Sequence, residues 1–186
     1  NVLCKPDMVT VVGSSDVALG KSVKLSALVE PAGVASQAVT WALASKDDAK
    51  LATVSASTGT VTAKTDAKLL GTIHVIATTT ALDKNGKQVS SEAFELRITE
   101  RATSVVTNLG LANAAATYDF YKGSVILTAS CTPNSASQQI AWSTSNPKVA
   151  KVDNGLVTFV STGTAVITAT AMDGTGVKAT VTLTIK

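Results

Sequence analysis

The stretch WSTSNPKVAKVDNGLVTFVSTGTAVITATA, residues 142–171, decides the fold, because an imperfect copy of it, WALASKDDAKLATVSASTGTVTAK, occupies residues 41–64. In both copies a tryptophan is followed by a turn, an alternating run rich in valine, a glycine and a second alternating run. Alternation of apolar and polar residues between turn residues is typical of half-buried β-strands. The chain is therefore predicted to build one small β-rich unit twice.

The repeat extends well beyond this stretch. GKSVKLSALVEP at residues 20–31 corresponds to KGSVILTASCTP at residues 122–133, and LGTIHVIAT at residues 70–78 corresponds to TGTAVITAT at residues 162–170. The offset between equivalent residues falls from 102 to 92 along the chain, and it changes only between the alternating runs. Loops tolerate insertions that strands do not. The changes in offset therefore mark the loops.

Composition agrees with an all-β chain. Of the 186 residues, 45% are hydrophobic but only 4% are aromatic and 16% are charged. Valine, threonine, alanine and serine dominate, and β-branched and small side chains suit a pleated, half-buried surface. The length allows two domains of roughly 90 residues, each with its own core.

Charge and hydropathy exclude two classes of partner. The net charge is +3, and the 16 lysines and arginines are scattered singly, with no basic stripe that could follow a phosphate backbone. No apolar run approaches the ~20 residues that span a bilayer. We therefore expect neither nucleic-acid binding nor membrane insertion.

Seven short strands per copy, about the number in an immunoglobulin-type Greek-key sandwich, are expected from these patterns. The domain boundaries are predicted at 1–100, which includes an N-terminal tail, and 101–186. The linker around residues 100–103 carries no Gly, Ser or Pro tract, so a stiff junction is expected. The predicted strands cover residues 9–12, 22–29, 38–42, 51–54, 60–63, 72–80 and 92–99 in the first copy, and 104–109, 124–131, 139–143, 148–152, 156–160, 165–171 and 177–185 in the second.

The segment IAWSTSNPKVAKVDNGLVTFVSTGTAVITAT, residues 140–170, resembles the bacterial immunoglobulin-like group 2 (Big2) domain family. The first copy has ALASKDDA in place of the SNP turn, so it resembles the family less closely, but it keeps the same skeleton of Trp41, Leu51, Val54, Gly59, Val61 and Gly71. The resemblance implies β-sandwiches of the kind found in bacterial and phage surface proteins, including intimin-like adhesins, where they serve as spacers or adhesive modules. It implies no catalytic residues and no cofactor.

Trp41 and Trp142 hold equivalent positions, and each is predicted to fill the space between two sheets, although a sugar-stacking platform is the alternative. His74 is the only histidine and alternates with apolar residues, so it is expected to face solvent. A solvent-facing His74 does not favour a Ser-His-Asp triad, and without a second histidine a multi-histidine metal site is not expected. We therefore predict no catalytic, cofactor or metal-binding residues.

The acidic residues are predicted to shape turns, because aspartate and asparagine side chains bind the backbone of their own loop. Calcium would need several converging carboxylates, and the linker offers only Glu100. We expect no structural calcium. The turn-forming set comprises Asp47, Asp48, Asp83, Asn85, Asp153 and Asp173.

The segment TYDFYKG, residues 117–123, contains three of the chain's aromatic residues: Tyr118, Phe120 and Tyr121. Tyrosine is enriched at protein interfaces, so these three form a candidate interaction patch. The alternative is that they pack at the end of a strand or between the two domains.

The two cysteines are too few for a disulfide framework. Cys131 follows the apolar alternation of its strand, so a buried free thiol is favoured. A Cys4–Cys131 bridge or a lipid on Cys4 are the alternatives, although Leu3 fits a lipid-attachment motif poorly.

The sequence favours a non-enzymatic structural or adhesive module, a stiff spacer or interaction domain on a bacterial or virion surface, acting as a monomer or within a larger multidomain chain. Its partner would be a protein or a surface glycan. The alternative is a carbohydrate-binding accessory module of a secreted glycan-degrading system. A catalytic domain is disfavoured because no nucleophile and base converge in the pattern.

Overall fold

A computed structural model describes residues 4–34, 36–111 and 114–186. The chain divides into unit 1, Asn1–Thr99, and unit 2, Glu100–Lys186. In unit 1 the elements are β1 (Met8–Val12), β2 (Asp16–Ala18), β3 (Ser22–Lys24), β4 (Ser26–Glu30), β5 (Val39–Leu43), α1 (Asp48–Leu51), β6 (Ala52–Val54), β7 (Thr60–Ala63), a 3₁₀ turn (Ala67–Leu69), β8 (Gly71–Leu82), β9 (Gln88–Ser90) and β10 (Phe94–Thr99).

Unit 2 follows a similar strand order, with one short strand added after its first strand and the 3₁₀ turn at a different place. Its elements are β11 (Ser104–Thr107), β12 (Gly110–Leu111), β13 (Ala114–Tyr118), a 3₁₀ turn (Phe120–Lys122), β14 (Ser124–Ile126), β15 (Ala129–Thr132), β16 (Ile140–Thr144), β17 (Ala150–Asp153), β18 (Leu156–Phe159), β19 (Gly163–Ala171) and β20 (Lys178–Ile185). The all-β prediction is confirmed.

Unit 1 consists of two layers. One contains the pair β1-β4 and the sheet β3-β7-β6, and the other is the sheet β2-β10-β8-β5, with β9 also paired to β8. The first strand region crosses between layers, because β1 pairs antiparallel with β4 whereas β2 pairs parallel with β10. The crossing passes Gly13, where φ is +154° and a Cβ atom would lie 2.7 Å from Leu25 Cδ2. A residue with a Cβ atom would strain the backbone at this bend and displace the Leu25 side chain.

Unit 2 has the same architecture. Its sheets are β12-β11-β15, β14-β18-β17 and β13-β20-β19-β16, and β13 pairs parallel with β20 as β2 does with β10. The inward faces of the long strands are built from alternating small and branched residues. On β19 and β20 the buried set is Ala165, Ile167, Ala169, Ala171, Ala179, Val181, Leu183 and Ile185.

The structure breaks one predicted strand in each unit. Residues 22–29 form β3 and β4, and residues 124–131 form β14 and β15, because the chain leaves one partner strand and joins another. At each break a leucine N–H donates to a glycine carbonyl: Leu25 to Gly59 at 3.0 Å, and Leu127 to Gly155 at 2.8 Å.

The predicted strand 51–54 begins one residue late, because Leu51 ends α1. Ser45 Oγ accepts from Asp48 N at 3.0 Å and donates to Asp48 Oδ2 at 2.8 Å. These two bonds tie the loop before α1 to the first residue of the helix. In unit 2 the equivalent turn relies on Asn146, whose Oδ1 accepts from Lys148 N at 3.2 Å.

Candidate functional site

The aromatic cluster lies where β13 ends in unit 2. Tyr118 is the last residue of β13, and Phe120 and Tyr121 belong to the following 3₁₀ turn. Asp119 caps this turn, because its Oδ1 accepts from Tyr121 N at 2.8 Å. Phe120 N donates to the Lys186 carbonyl at 2.8 Å, so the turn is also fixed to the chain that follows β20.

The structure separates the three predicted patch residues. Tyr118 and Phe120 are half-buried and pack against the core of unit 2, where the Tyr118 ring lies 5.7 Å from that of Phe159. Tyr121 is 94% exposed, and its ring meets the ring of Phe120 edge-on at 6.1 Å. Lys122 Nζ lies 4.8 Å from the centroid of the Tyr118 ring, within range of a cation–π interaction.

This arrangement leaves the Tyr121 ring open to solvent, whereas the Lys122 ammonium group lies over the Tyr118 ring. Such a surface can stack on a sugar or an apolar side chain and can attract an anion. The cluster is therefore suited to contact with a binding partner. We call the surface formed by Phe120, Tyr121 and Lys122 the tyrosine turn.

The two tryptophans differ in burial. Trp41 is 6% exposed and belongs to the core of unit 1, whereas Trp142 is half-buried and packs against two core clusters of unit 2. A glycine lies against each indole. A Cβ atom on Gly59 would lie 2.6 Å from Trp41 Cε2, and one on Gly155 would lie 3.4 Å from Trp142 Cζ2 and 2.2 Å from the Leu127 carbonyl oxygen. Both indoles therefore participate in packing.

His74 contacts a buried carboxylate that the sequence did not place beside it. Its side chain is 41% exposed, and Nδ1 lies 3.4 Å from Asp48 Oδ1. Asp48, predicted to shape a turn, is 5% exposed and also receives the Ser45 hydroxyl. The hydroxyl thus bonds to the carboxylate and not to the imidazole. In a catalytic triad the histidine stands between serine and aspartate, so this order gives the serine no base.

Two further buried carboxylates have structural roles. Asp16 is fully buried and receives Arg97 Nε at 2.8 Å and Arg97 Nη2 at 3.1 Å, which raises the pKa of the Arg97 guanidinium. The pair lies on β2 and β10. No sequence pattern predicts it, because periodicity does not mark an ion pair between residues 81 positions apart.

Asp173 is also fully buried and fixes more than its own turn. Its Oδ1 accepts from Thr175 N at 2.9 Å, as predicted for a turn-former, but Oδ2 accepts from Ala102 N at 2.9 Å. Asp83 has the simpler predicted role, since its Oδ1 accepts from Asn85 N and Lys87 N, both at 2.8 Å. The bond from Lys87 N is the main cause of the lowered pKa of Asp83.

Both cysteines are free thiols. Cys4 is exposed, and Cys131 is 1% exposed inside unit 2, as its alternation predicted. Burial raises the pKa of the Cys131 thiol, and the nearby Asp173 carboxylate adds to this effect. Within residues 4–34, 36–111 and 114–186 no three His, Cys, Asp or Glu side chains converge as metal ligands would. None of the described helices is long and apolar enough to cross a membrane.

Comparison with known proteins places these observations in a family. Residues 7–93 and 121–183 match the bacterial Ig-like domain (group 2) family. A lacto-N-biosidase from Bifidobacterium bifidum is 41% identical over 93 residues, a match that covers 48% of this chain and 8% of that protein. The chain therefore spans only a small part of this relative's length.

Two solved structures also align with most of this chain, at low sequence identity. Drosophila N-cadherin EC1-3 aligns over 98% of this chain and 68% of its own, with 12% identity and a TM-score of 0.41. The tandem Ig repeats of Dlar align over 98% of this chain and 99% of their own, with 15% identity and a TM-score of 0.34. Because the family matches two separate segments, one in each β-sandwich, the chain belongs to the bacterial Ig-like domain (group 2) family and carries two tandem copies of that domain.

Proposed function

We propose that the chain is a non-catalytic structural and adhesive module, a stiff spacer that also carries an interaction surface, in a protein displayed outside the cell or on a virion. The observation that supports adhesion most directly is Tyr121, which is 94% exposed on a turn that Asp119 and Lys186 hold in place. A large aromatic side chain held on an ordered turn loses little conformational entropy when a partner covers it.

The polar groups of the described residues support the non-catalytic part of this proposal. The buried carboxylates Asp16, Asp48 and Asp173 each bind neighbouring donors of their own unit. In unit 1 the Ser45 hydroxyl donates to Asp48 and has no imidazole to accept its proton. These side chains act as structural acceptors, a role that any module held under load requires.

The spacer part of the proposal rests on the residues that follow unit 1. Ala102 N donates to Asp173, Thr103 N donates to the Thr132 carbonyl at 2.7 Å, and Ser135 Oγ donates to Glu100 Oε2 at 2.7 Å. These bonds hold residues 100–103 on unit 2, which supports a short junction in place of a flexible linker. Residual dipolar couplings test this directly. A stiff spacer gives one alignment tensor for both units, and two unrelated tensors would contradict it.

The adhesive part is tested with the whole chain on an array of purified surface proteins. Tyr121→Ala should reduce binding at least tenfold, because a central exposed aromatic residue commonly dominates an interface. Ile126→Ala is the matched control, since Ile126 is 65% exposed in the same unit but lies outside the tyrosine turn. Equal binding by both variants would contradict the claim that the tyrosine turn contacts the partner.

A second candidate is a carbohydrate-binding accessory module. It is favoured by the 41% identity over 93 residues to a protein named as a lacto-N-biosidase. Exposed tyrosine faces stack on sugar rings, and Tyr121 offers such a face. An array of defined oligosaccharides separates the two candidates. Selective binding there that Tyr121→Ala abolishes, with no binding on the protein array, would support the carbohydrate-binding module.

A further inference from the structure

The two units differ at the outer edge of their first strand, β1 in unit 1 and β11 in unit 2. In unit 1, Val9 of β1 pairs with Val29 of β4, and in unit 2, Val105 of β11 pairs with Cys131 of β15. Val29 and Cys131 are equivalent residues of the repeat, 102 positions apart. The edge formed by Thr10 and Val11 in unit 1 therefore corresponds to the edge formed by Val106 and Thr107 in unit 2.

Unit 2 covers this edge with its own chain. The short strand β12 pairs antiparallel with β11, with Leu111 opposite Val106 and Gly110 opposite Thr107. In unit 1 only residues 13–15 separate β1 from β2, too few to add a returning strand before the chain crosses to the other layer. Within the described residues β1 has β4 as its one partner strand, so its outer edge is open.

A cleft of about 340 Å³ lies along this open edge. Residues 7–11 form one wall, and residues 89–94 form the other. Glu92 and Ala93 lie between β9 and β10, outside the hydrogen-bonded ladder of the sheet. The cleft thus lies between two stretches of backbone.

The lining of the cleft is apolar with acidic side chains. Val9, Val11, Val89 and Phe94 supply the apolar surface. Asp7 and Glu92 are exposed and have no ion-pair partner among the described residues, and the lining contains no lysine or arginine. This charge distribution favours an occupant with basic side chains.

We propose that the cleft beside β1 binds an extended basic segment of a partner protein, which adds to unit 1 as an antiparallel strand in the place that β12 takes in unit 2. Strand addition supplies affinity through main-chain hydrogen bonds, while side chains at alternate positions of the added strand enter the cleft. Lysine or arginine at its ends then meets Asp7 and Glu92. The tyrosine turn lies in unit 2, so this proposal does not depend on it.

Nuclear magnetic resonance titration of the whole chain tests the proposal with synthetic peptides. The probe is a peptide of alternating valine and threonine with a lysine at each end. We expect chemical-shift changes centred on Thr10, Val11, Glu92 and Ala93. A matched peptide with glutamate at each end should bind at least tenfold more weakly, and the lysine peptide with N-methylated valines should lose binding because its backbone donors are blocked.

A charge reversal on the protein completes the test. The double substitution Asp7→Lys and Glu92→Lys alters only exposed side chains and should exchange the preference, so that the glutamate peptide binds better. Glu95→Lys, an exposed change on β10 outside the cleft, should leave the preference as it was. Full binding of the N-methylated peptide, or an unchanged preference after the double reversal, would overturn the proposal. Self-association of the chain through Thr10 and Val11 without peptide would also overturn it, because the occupant would then be a second copy.

Discussion

At the scale of single residues, a contact between a glycine and a tryptophan occurs in both units, between Gly59 and Trp41 and between Gly155 and Trp142. Gly59 and Gly155 have φ values of +69° and +84°, which disfavour any residue with a Cβ atom. The carbonyl oxygen of each also accepts from the N–H of the leucine at which the broken strand changes sheets. In both units one glycine thus adopts the φ that the turn requires, lies close to the indole and accepts the hydrogen bond at the strand break.

Replacing Gly59 by alanine should destabilise unit 1 by about 2–4 kcal/mol, because the new methyl group overlaps Trp41 and the backbone takes an unfavourable φ. Gly86→Ala is the matched control, since its φ is +75° but nothing lies within 4 Å of an added Cβ atom. It should cost only about 1 kcal/mol. Urea unfolding followed by tryptophan fluorescence measures both, and equal losses would refute the packing role of Gly59.

The two thiols should react very differently. Because burial raises the pKa of Cys131, the folded protein favours the neutral thiol. The free energy of unfolding that this neutral thiol contributes is present below the unfolded pKa and is lost as the pH rises through the raised pKa of the folded state. At pH 8 a thiol reagent should modify Cys4 rapidly and Cys131 only after unfolding. Mass spectrometry of the native protein measures this, and modification of both at similar rates would contradict the burial of Cys131.

At the scale of elements, the sequence predicted the antiparallel strands better than the parallel ones. The run at residues 60–63 matches β7, and β8 and β19 are only slightly longer than expected. The parallel strands β2 and β13 were missed, because DVA is short and fully buried and AAATY opens with three alanines, so neither shows an apolar–polar alternation in the sequence. Their pairing depends on partners far along the chain, which local periodicity does not encode.

The candidate site was only partly predictable for a related reason. The sequence located Tyr118, Phe120 and Tyr121, but alternation cannot tell that a 3₁₀ turn exposes Tyr121 and turns Phe120 toward the core. In the same way, equivalent positions in the repeat did not reveal that Trp142 is less buried than Trp41.

The ion pair of Asp16 and Arg97 ties β2 to β10 and gives an element-scale prediction. Arg97→Met should cost about 2 kcal/mol, because the buried Asp16 carboxylate loses both guanidinium hydrogen bonds. The estimate stays modest because the Arg97 side chain is 63% exposed. Thermal unfolding measures the loss. Glu95→Met on the same strand is the control, and an equal effect from both would show that the pair contributes nothing.

At the scale of the whole molecule, the two units repeat their loop chemistry as well as their strands. Val34 N donates to the Pro31 carbonyl at 3.1 Å, and Ala136 N donates to the Pro133 carbonyl at 2.9 Å. A serine hydroxyl then accepts from the backbone two residues later in both units, at 3.2 Å each time. The core clusters contain residues of a single unit each. The central claim is therefore that one sandwich is built twice, each with its own core.

Residue-resolved hydrogen exchange on the full chain carrying Gly59→Ala tests this claim most directly. A core that belongs to unit 1 alone predicts that the slowest amides of residues 4–99 exchange at least tenfold faster, while those of residues 100–186 keep their rates. Acceleration of the same size in both halves would show a single shared core and would contradict the account.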